Sequence, residues 1–178
     1  MTEAEDLKQR GISHFQQKLY KEALEFFQQS YALFEKDGDL NNSAEVLNNI
    51  GVIHRVEGRD REAVTALETA QAHFEQVGDA LKQAQTLGNL APLYKKIEQY
   101  DKAVEAYTRA ADIFHEAGEK NFQAETLMAL GVMQFEAGDR MAGIANYESG
   151  LMKVKKPTAQ QKRIRNMLKM RNRLTGAK

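Results

Sequence analysis

The stretch Ala44-Glu45-Val46-Leu47-Asn48-Asn49-Ile50-Gly51-Val52-Ile53-His54-Arg55-Val56-Glu57-Gly58-Arg59-Asp60-Arg61-Glu62-Ala63-Val64-Thr65-Ala66-Leu67 decides the fold. Its apolar residues recur at helical intervals. Leu47, Ile50 and Ile53 form one stripe; Ala63, Val64, Leu67 and Ala70 form another. Between them, Glu57-Gly58-Arg59-Asp60 is short and polar. Gly58 can end a helix in the left-handed conformation, and Asp60 can cap the next one. The stretch therefore predicts two antiparallel helices joined by a tight turn.

The same pattern returns when the sequence is shifted by 40 residues, without gaps. Gly38-Asp39 recurs as Gly78-Asp79 and Gly118-Glu119, and Leu47 as Leu87 and Leu127. Phe34, Phe74 and Phe114 are equivalent, as are Phe27, Leu67, Tyr107 and Tyr147. Four copies follow, at about 4–43, 44–83, 84–123 and 124–156. The first helices are expected at about 3–17, 42–57, 81–97 and 121–137, and the second at about 20–36, 60–77, 100–117 and 140–155. Asp101 and Asp139, like Asp60, follow the short polar break and are read as caps of second helices.

Small residues keep the same period. Gly11, Gly51, Ala91 and Gly131 fall inside first helices, where Gly costs about 1 kcal/mol against Ala. A loss repeated at a fixed interval implies a helix contact too close for a larger side chain. Ala23, Ala63, Ala103 and Gly143 supply the matching dent on the second helices. Pro92 lies inside the third first-helix; it removes a hydrogen bond and presses on the carbonyl of Gly88, so a kink without a break is expected there.

These residues resemble the tetratricopeptide repeat family. Leu7, Leu47, Leu87 and Leu127, the small residues of the first helices, Tyr94, Ala103, Tyr107 and Ala110 carry the likeness. The family's closing proline is absent from every copy, as in the longer 40-residue variant; the repeats look similar to those of spindle-orientation adaptors and kinesin light chains. The resemblance spans about residues 4–156 and implies an all-α solenoid of four helical hairpins, with the first helices lining a concave face.

The chain has 178 residues, 42% hydrophobic and 28% charged, within the range of folded proteins. It contains no cysteine, which excludes disulfides, thiolate metal sites and cysteine nucleophiles. A cytoplasmic location fits. No Gly-x-Ser-x-Gly, Gly-rich phosphate loop or His-Glu-x-x-His is present, so the sequence reads as a binding module rather than an enzyme, with no cofactor or metal implied. His14 and His54 occupy equivalent places and read as replacements for a packing aromatic; His73 and His115 read as surface residues.

The resemblance points to the concave face as the working surface, gripping a peptide segment of a partner protein. The lining it implies includes Asn48, Asn49, Val52, Arg55, Asn89, Lys95, Lys96, Phe15, Met128 and Phe135, with Glu45, Gln85 and Val56 beside them. Asn49 and Asn89 match asparagines that hold a peptide backbone in related repeats, and a carboxamide both donates and accepts. Arg55, Lys95 and Lys96 form a basic middle, while Phe15, Met128 and Phe135 suit apolar anchors.

The net charge of zero conceals a split. Residues 1–152 hold 15 Lys+Arg against 25 Asp+Glu, and residues 153–178 hold 10 Lys+Arg and no acid. Thr158 and Gln161 read as a capping box for a ninth helix at about 158–174, with Ile164, Met167, Leu168 and Leu174 mostly on one face. Residues 157–178 are thus a basic capping helix and tail. Its Lys162, Arg163, Arg165, Lys169, Arg171 and Arg173 offer an alternative function, electrostatic binding of nucleic acid or an anionic membrane. Self-assembly into a homo-oligomer through the uncovered helix of the first copy is a further alternative.

Overall fold

The structure, a computed structural model, describes residues 1–175, with side chains described through residue 170. Leu174, Arg171 and Arg173, assigned to the tail above, have side chains outside the described residues. Among the described residues the chain is all-α. Its helices are α1 (Glu3–Gln16), α2 (Tyr20–Asp37), α3 (Leu40–Val56), α4 (Asp60–Val77), α5 (Ala80–Lys96), α6 (Tyr100–Glu116), α7 (Lys120–Glu136), α8 (Arg140–Lys153) and α9 (Ala159–Thr175). No helix among the described residues is long and apolar enough to cross a membrane.

The chain divides into two compact units, Met1–Ala106 and Tyr107–Lys178, and the division falls inside α6. In the first unit α1 packs on α2 and α3 on α4, while α2 also meets α3 and α4 meets α5. Its core is built from Ala23, Phe27 and Phe34 of α2, Val46, Ile50 and Ile53 of α3, and Ala70 and Phe74 of α4. Ser30, where the second and third copies have alanine, is fully buried with its hydroxyl donating to the Ala4 carbonyl at 2.8 Å. In the second unit α7 packs along α8, α9 rests on α8, and the Phe114 and Phe122 rings stack at 5.3 Å.

The small residues mark close approach, as the sequence implies. A Cβ on Gly11 would stand 2.6 Å from the Phe27 ring, and one on Gly51 2.6 Å from Leu67. At Gly131 the obstruction is backbone, Tyr147 N at 2.5 Å and the Gly143 carbonyl at 2.6 Å. Helices α7 and α8 thus meet main chain to main chain, where Gly143 and Gly150 replace the Ala and Ser of earlier copies.

The turns follow one recipe. Gly58 (φ 76°) and Gly138 (φ 99°) end α3 and α7 in the left-handed region. The equivalent residues after α1 and α5 are Lys18 (φ 61°) and Glu98 (φ 63°), which carry a Cβ there. Helices α3 and α5 begin earlier than the sequence suggests because Asp39 and Asp79 cap them, accepting from Asn42 N at 3.1 Å and Lys82 N at 3.0 Å. Of the aspartates expected to cap second helices, Asp139 does so, accepting from Ala142 N. Asp60 and Asp101 do not; each lies inside its helix, and Arg59 takes the cap place of α4 without a side-chain bond. Helix α5 runs unbroken through Pro92, which is exposed. The Thr158–Gln161 capping box forms in both directions, at 2.9 Å and 3.2 Å.

Two stability tests follow from these contacts. Lys18→Gly and Glu98→Gly are each expected to stabilise the fold by about 0.5–1 kcal/mol, since relief of the left-handed strain exceeds the added chain entropy. Gly131→Ala is expected to destabilise by about 1–3 kcal/mol, because backbone cannot yield. Gly51→Ala should lose less, since the Leu67 side chain can shift. Urea unfolding of the variants measures all of these.

Candidate functional site

The face presented by α1, α3 and α5 in the first unit is tied together at Glu45. Its carboxylate takes Lys8 from α1 at 2.8 Å and Lys82 from α5 at 2.7 Å. Lys8 also donates to Asn42, and Lys82 to Asn41 at 3.2 Å and Asp79 at 3.1 Å. Burial alone would raise the Glu45 carboxyl, but the hydrogen bonds from the two lysines hold it below the ordinary carboxylate range. Lys82 shows the mirror image: burial opposes its charge, and bonds to Glu45 and Asp79 overcome that and raise its pKa. Asp39 is held low by bonds from the Asn42 side chain and backbone.

Beside this network lies a polar pocket of about 270 Å³. Asn48 and Asn49 of α3 and Gln85 and Asn89 of α5 line it with Glu45, Lys82, Thr86 and Phe74. The structure therefore brings together Asn48, Asn49 and Asn89 from the sequence reading. Asn49 is half-buried, and its carboxamide makes no hydrogen bond to another described residue. The Asn89 carbonyl accepts only a long bond from Arg55, at 3.4 Å. Asn48 accepts from the Thr86 hydroxyl at 3.4 Å.

The basic middle is altered by pairing. Lys96 reaches back to Asp60 at 2.8 Å, Arg55 leans on Asn89, and Lys95 also has a partner. Val52 is half-buried on α3 and does not line the pocket. Phe15 is half-buried and packs against Tyr20, 5.8 Å between ring centres, so it serves its own hairpin. Lys82, Thr86 and Phe74 escaped the sequence reading. Lys82 and Thr86 are polar residues in the first half of α5, and Phe74 was noted only as a recurring repeat position. The recurrence of Phe74 at the 40-residue interval was the one available signal.

Met128 and Phe135 lie on α7 in the second unit, in different places. Met128 borders a pocket with Glu125, Val154, Lys155 and Lys156. Phe135 is exposed under the Arg140 guanidinium, which stands 5.8 Å from its ring centre. In the tail, Lys162, Arg163 and Lys169 are exposed. Arg165 is not: it donates to the Leu151 carbonyl and, at 2.8 Å, to the Val154 carbonyl, closing the end of α8.

Histidines 14 and 54 differ. The His14 ring sits 4.9 Å from Phe26, with Nδ1 at 2.8 Å from the Arg10 carbonyl. Burial, and then the nearby Arg59 charge, hold His54 below its ordinary pKa. His73 is not a surface residue; it is half-buried, 3.3 Å from the Ser43 hydroxyl and 3.9 Å from Glu35. Its neighbours on α2 and α3 are distant in sequence, which hides this site from helical periodicity.

Residues 3–76 and 42–116 each match the family model described as tetratricopeptide repeat. The chain belongs to the tetratricopeptide repeat family. Its hairpins make it a member of a class of protein-interaction scaffolds. Among solved structures it is similar to BtubC (BKLC) from P. vanneervenii, with a TM-score of 0.76 and 18% identity over 87% of this chain and 66% of that one. It thus spans about two thirds of the BtubC chain. It is also similar to two structures of MamA, each with a TM-score of 0.69 and 22% identity over 85% of this chain, covering 78% and 73% of those chains. No curated protein matches the sequence. At these identities the likeness establishes the all-α repeat fold.

The Glu45 network makes the stability of this tetratricopeptide repeat chain dependent on acid. A carboxyl depressed by folding stabilises above its unfolded pKa, near 4.5, and that contribution is lost as pH falls through the folded value. Glu45→Gln is expected to lower Tm by about 2–4 °C at neutral pH. The gap between the two proteins should stay level until near pH 4.5 and close below it. Calorimetric melting of both across that range provides the measurement; a gap that persists in acid contradicts the assignment.

Proposed function

We propose that the α1–α3–α5 face holds an extended peptide segment of a partner protein, with the Asn49 and Asn89 carboxamides gripping its backbone. One observation carries this reading: half-buried carboxamides line an open polar pocket while their own hydrogen-bonding capacity goes largely unused. An amide at such an open pocket exchanges its water for the donor and acceptor of a peptide unit when one arrives. Their period along the sequence, 40 residues, gives equivalent contacts from two adjacent first helices.

Sequence preference then comes from the walls. Lys82 and Glu45 neutralise one another, and Lys96 is paired with Asp60, so the face does not present a bare cationic clamp. The pocket favours a polar, uncharged side chain on the peptide over an acidic tail. A peptide bound this way gains affinity from main-chain bonds and modest selectivity from one side-chain pocket.

Peptides selected against the intact protein from a random displayed library provide the probe. Asn49→Ala with Asn89→Ala is expected to weaken the selected peptides by about tenfold or more, because two backbone anchors are removed. Its Tm should stay within about 2 °C of the parent, since neither amide supports a buried bond. Unchanged peptide affinity in a folded double variant refutes the backbone grip.

A further inference from the structure

Cations in this chain fall into two groups. In the first unit Lys8, Lys82 and Lys96 each hold a carboxylate. In the second unit the cations that follow α8 do not. Lys155, Lys156, Lys162, Arg163 and Lys169 are exposed, and none forms an ion pair with a described residue. Residues 1–152 hold 25 Asp+Glu against 15 Lys+Arg, so carboxylates are in excess on the same chain. The basic segment does not fold its charge onto them. Glu125 lines a pocket beside Lys155 and Lys156 without pairing to either, and Glu136 and Glu148 have other partners.

Helix α9 is 17 residues long, about 25 Å. Its Ile164 and Leu168 line the groove against α7 and α8, and its Arg165 closes the end of α8. The helical period then turns Lys162, Arg163, Met167, Lys169 and Met170 to the opposite side. Met167 is 71% exposed and Met170 65%. Two apolar side chains thus stand among three unpaired cations, and residues 153–178 contain no acid at all. This is the pattern of a helix lying in an anionic lipid interface: cations meet headgroup phosphates, and flexible thioethers enter the acyl boundary beneath. Nucleic acid would satisfy the cations alone. A phosphate backbone offers nothing to Met167 and Met170, and residues 153–178 hold no aromatic ring on which a base could stack.

We propose that the outward face of α9 docks the chain on an anionic lipid bilayer, with Lys162, Arg163 and Lys169 at the headgroups and Met167 and Met170 inserted below them. The attachment is superficial and leaves the contacts of α9 with α8 intact. It is separate from the Asn49–Asn89 face and does not depend on it.

Co-sedimentation of the full chain with vesicles tests it. Binding is expected to phosphatidylcholine vesicles containing about 30% phosphatidylglycerol, and not to phosphatidylcholine alone. It should fall by about tenfold or more between roughly 0.05 M and 0.5 M salt. Lys162→Glu with Arg163→Glu and Lys169→Glu should abolish it, and Met167→Ser with Met170→Ser should weaken it by about fivefold. All five side chains are exposed, so circular dichroism should show parental melting. The chain has no tryptophan, so Met170→Trp reports alone. Its emission should shift to the blue on the anionic vesicles, and this reading decides the matter where a glutamate variant melts early. A DNA duplex of about 20 base pairs is the competing probe. A chain that ignores anionic vesicles overturns the proposal. So does binding indifferent to either set of substitutions, an unshifted tryptophan, or a duplex held more tightly than the vesicles at the same salt.

Discussion

The structure depends on how closely two helices of one hairpin approach. Where Gly11 faces Phe27, and Gly51 faces Leu67, a single methyl group would collide. This contact sets how deeply the large residue of the second helix sinks into the first, and so which faces remain outside. Once Leu67 is sunk against Gly51, Asn49, two residues earlier and on the opposite side of α3, is left to line a pocket together with Asn48. The proposed binding face is thus a consequence of packing on the opposite side of the same helix. At Gly131 the contact tightens to main chain against main chain, and the surplus glycines Gly143 and Gly150 follow from it.

Adjacent hairpins are joined by a different device. The apolar core continues from α2 to α3 and from α4 to α5, but Glu45 fixes lateral register. One carboxylate shared by Lys8 and Lys82 favours the alignment of α1, α3 and α5 in which both lysines reach it. Such a network contributes modest stability at a partly exposed site, and its larger effect is geometric. It stands beside the pocket that Asn49 and Asn89 line, as the proposed grip on an extended chain requires.

The architecture was legible because packing repeats. Helical stripes, small residues and Gly-Asp turns all recur at 40, and each reflects a local demand of the hairpin. What escaped lies in partnerships that periodicity does not record. Lys96 and Asp60 are 36 residues apart and read as separate charges, yet they pair. Arg165 read as one more tail cation, and instead it closes the end of α8. The cap of α4 passed from Asp60 to Arg59 because the preceding turn dictates where the helix starts. Gly58 donates back to Arg55 and Arg59 to His54, and these bonds bring Asp60 already inside the next helix. Asp139 caps α8 because it stands at the position of Arg59, one residue ahead of the position Asp60 holds.

The charge split gains a structural meaning from the same details. A basic segment attached to an acidic body could simply fold back, and the bond from Arg165 to the α8 carbonyls is such an attachment. But one arginine directed inward leaves Lys162, Arg163 and Lys169 facing out. A helix whose only task was to shield α8 would need apolar residues toward α8 and polar ones elsewhere. Helix α9 departs from that rule at Met167 and Met170, and α8 departs from it at Ile144. Both departures fall in one unit, and each leaves apolar surface in water with no return inside the isolated chain.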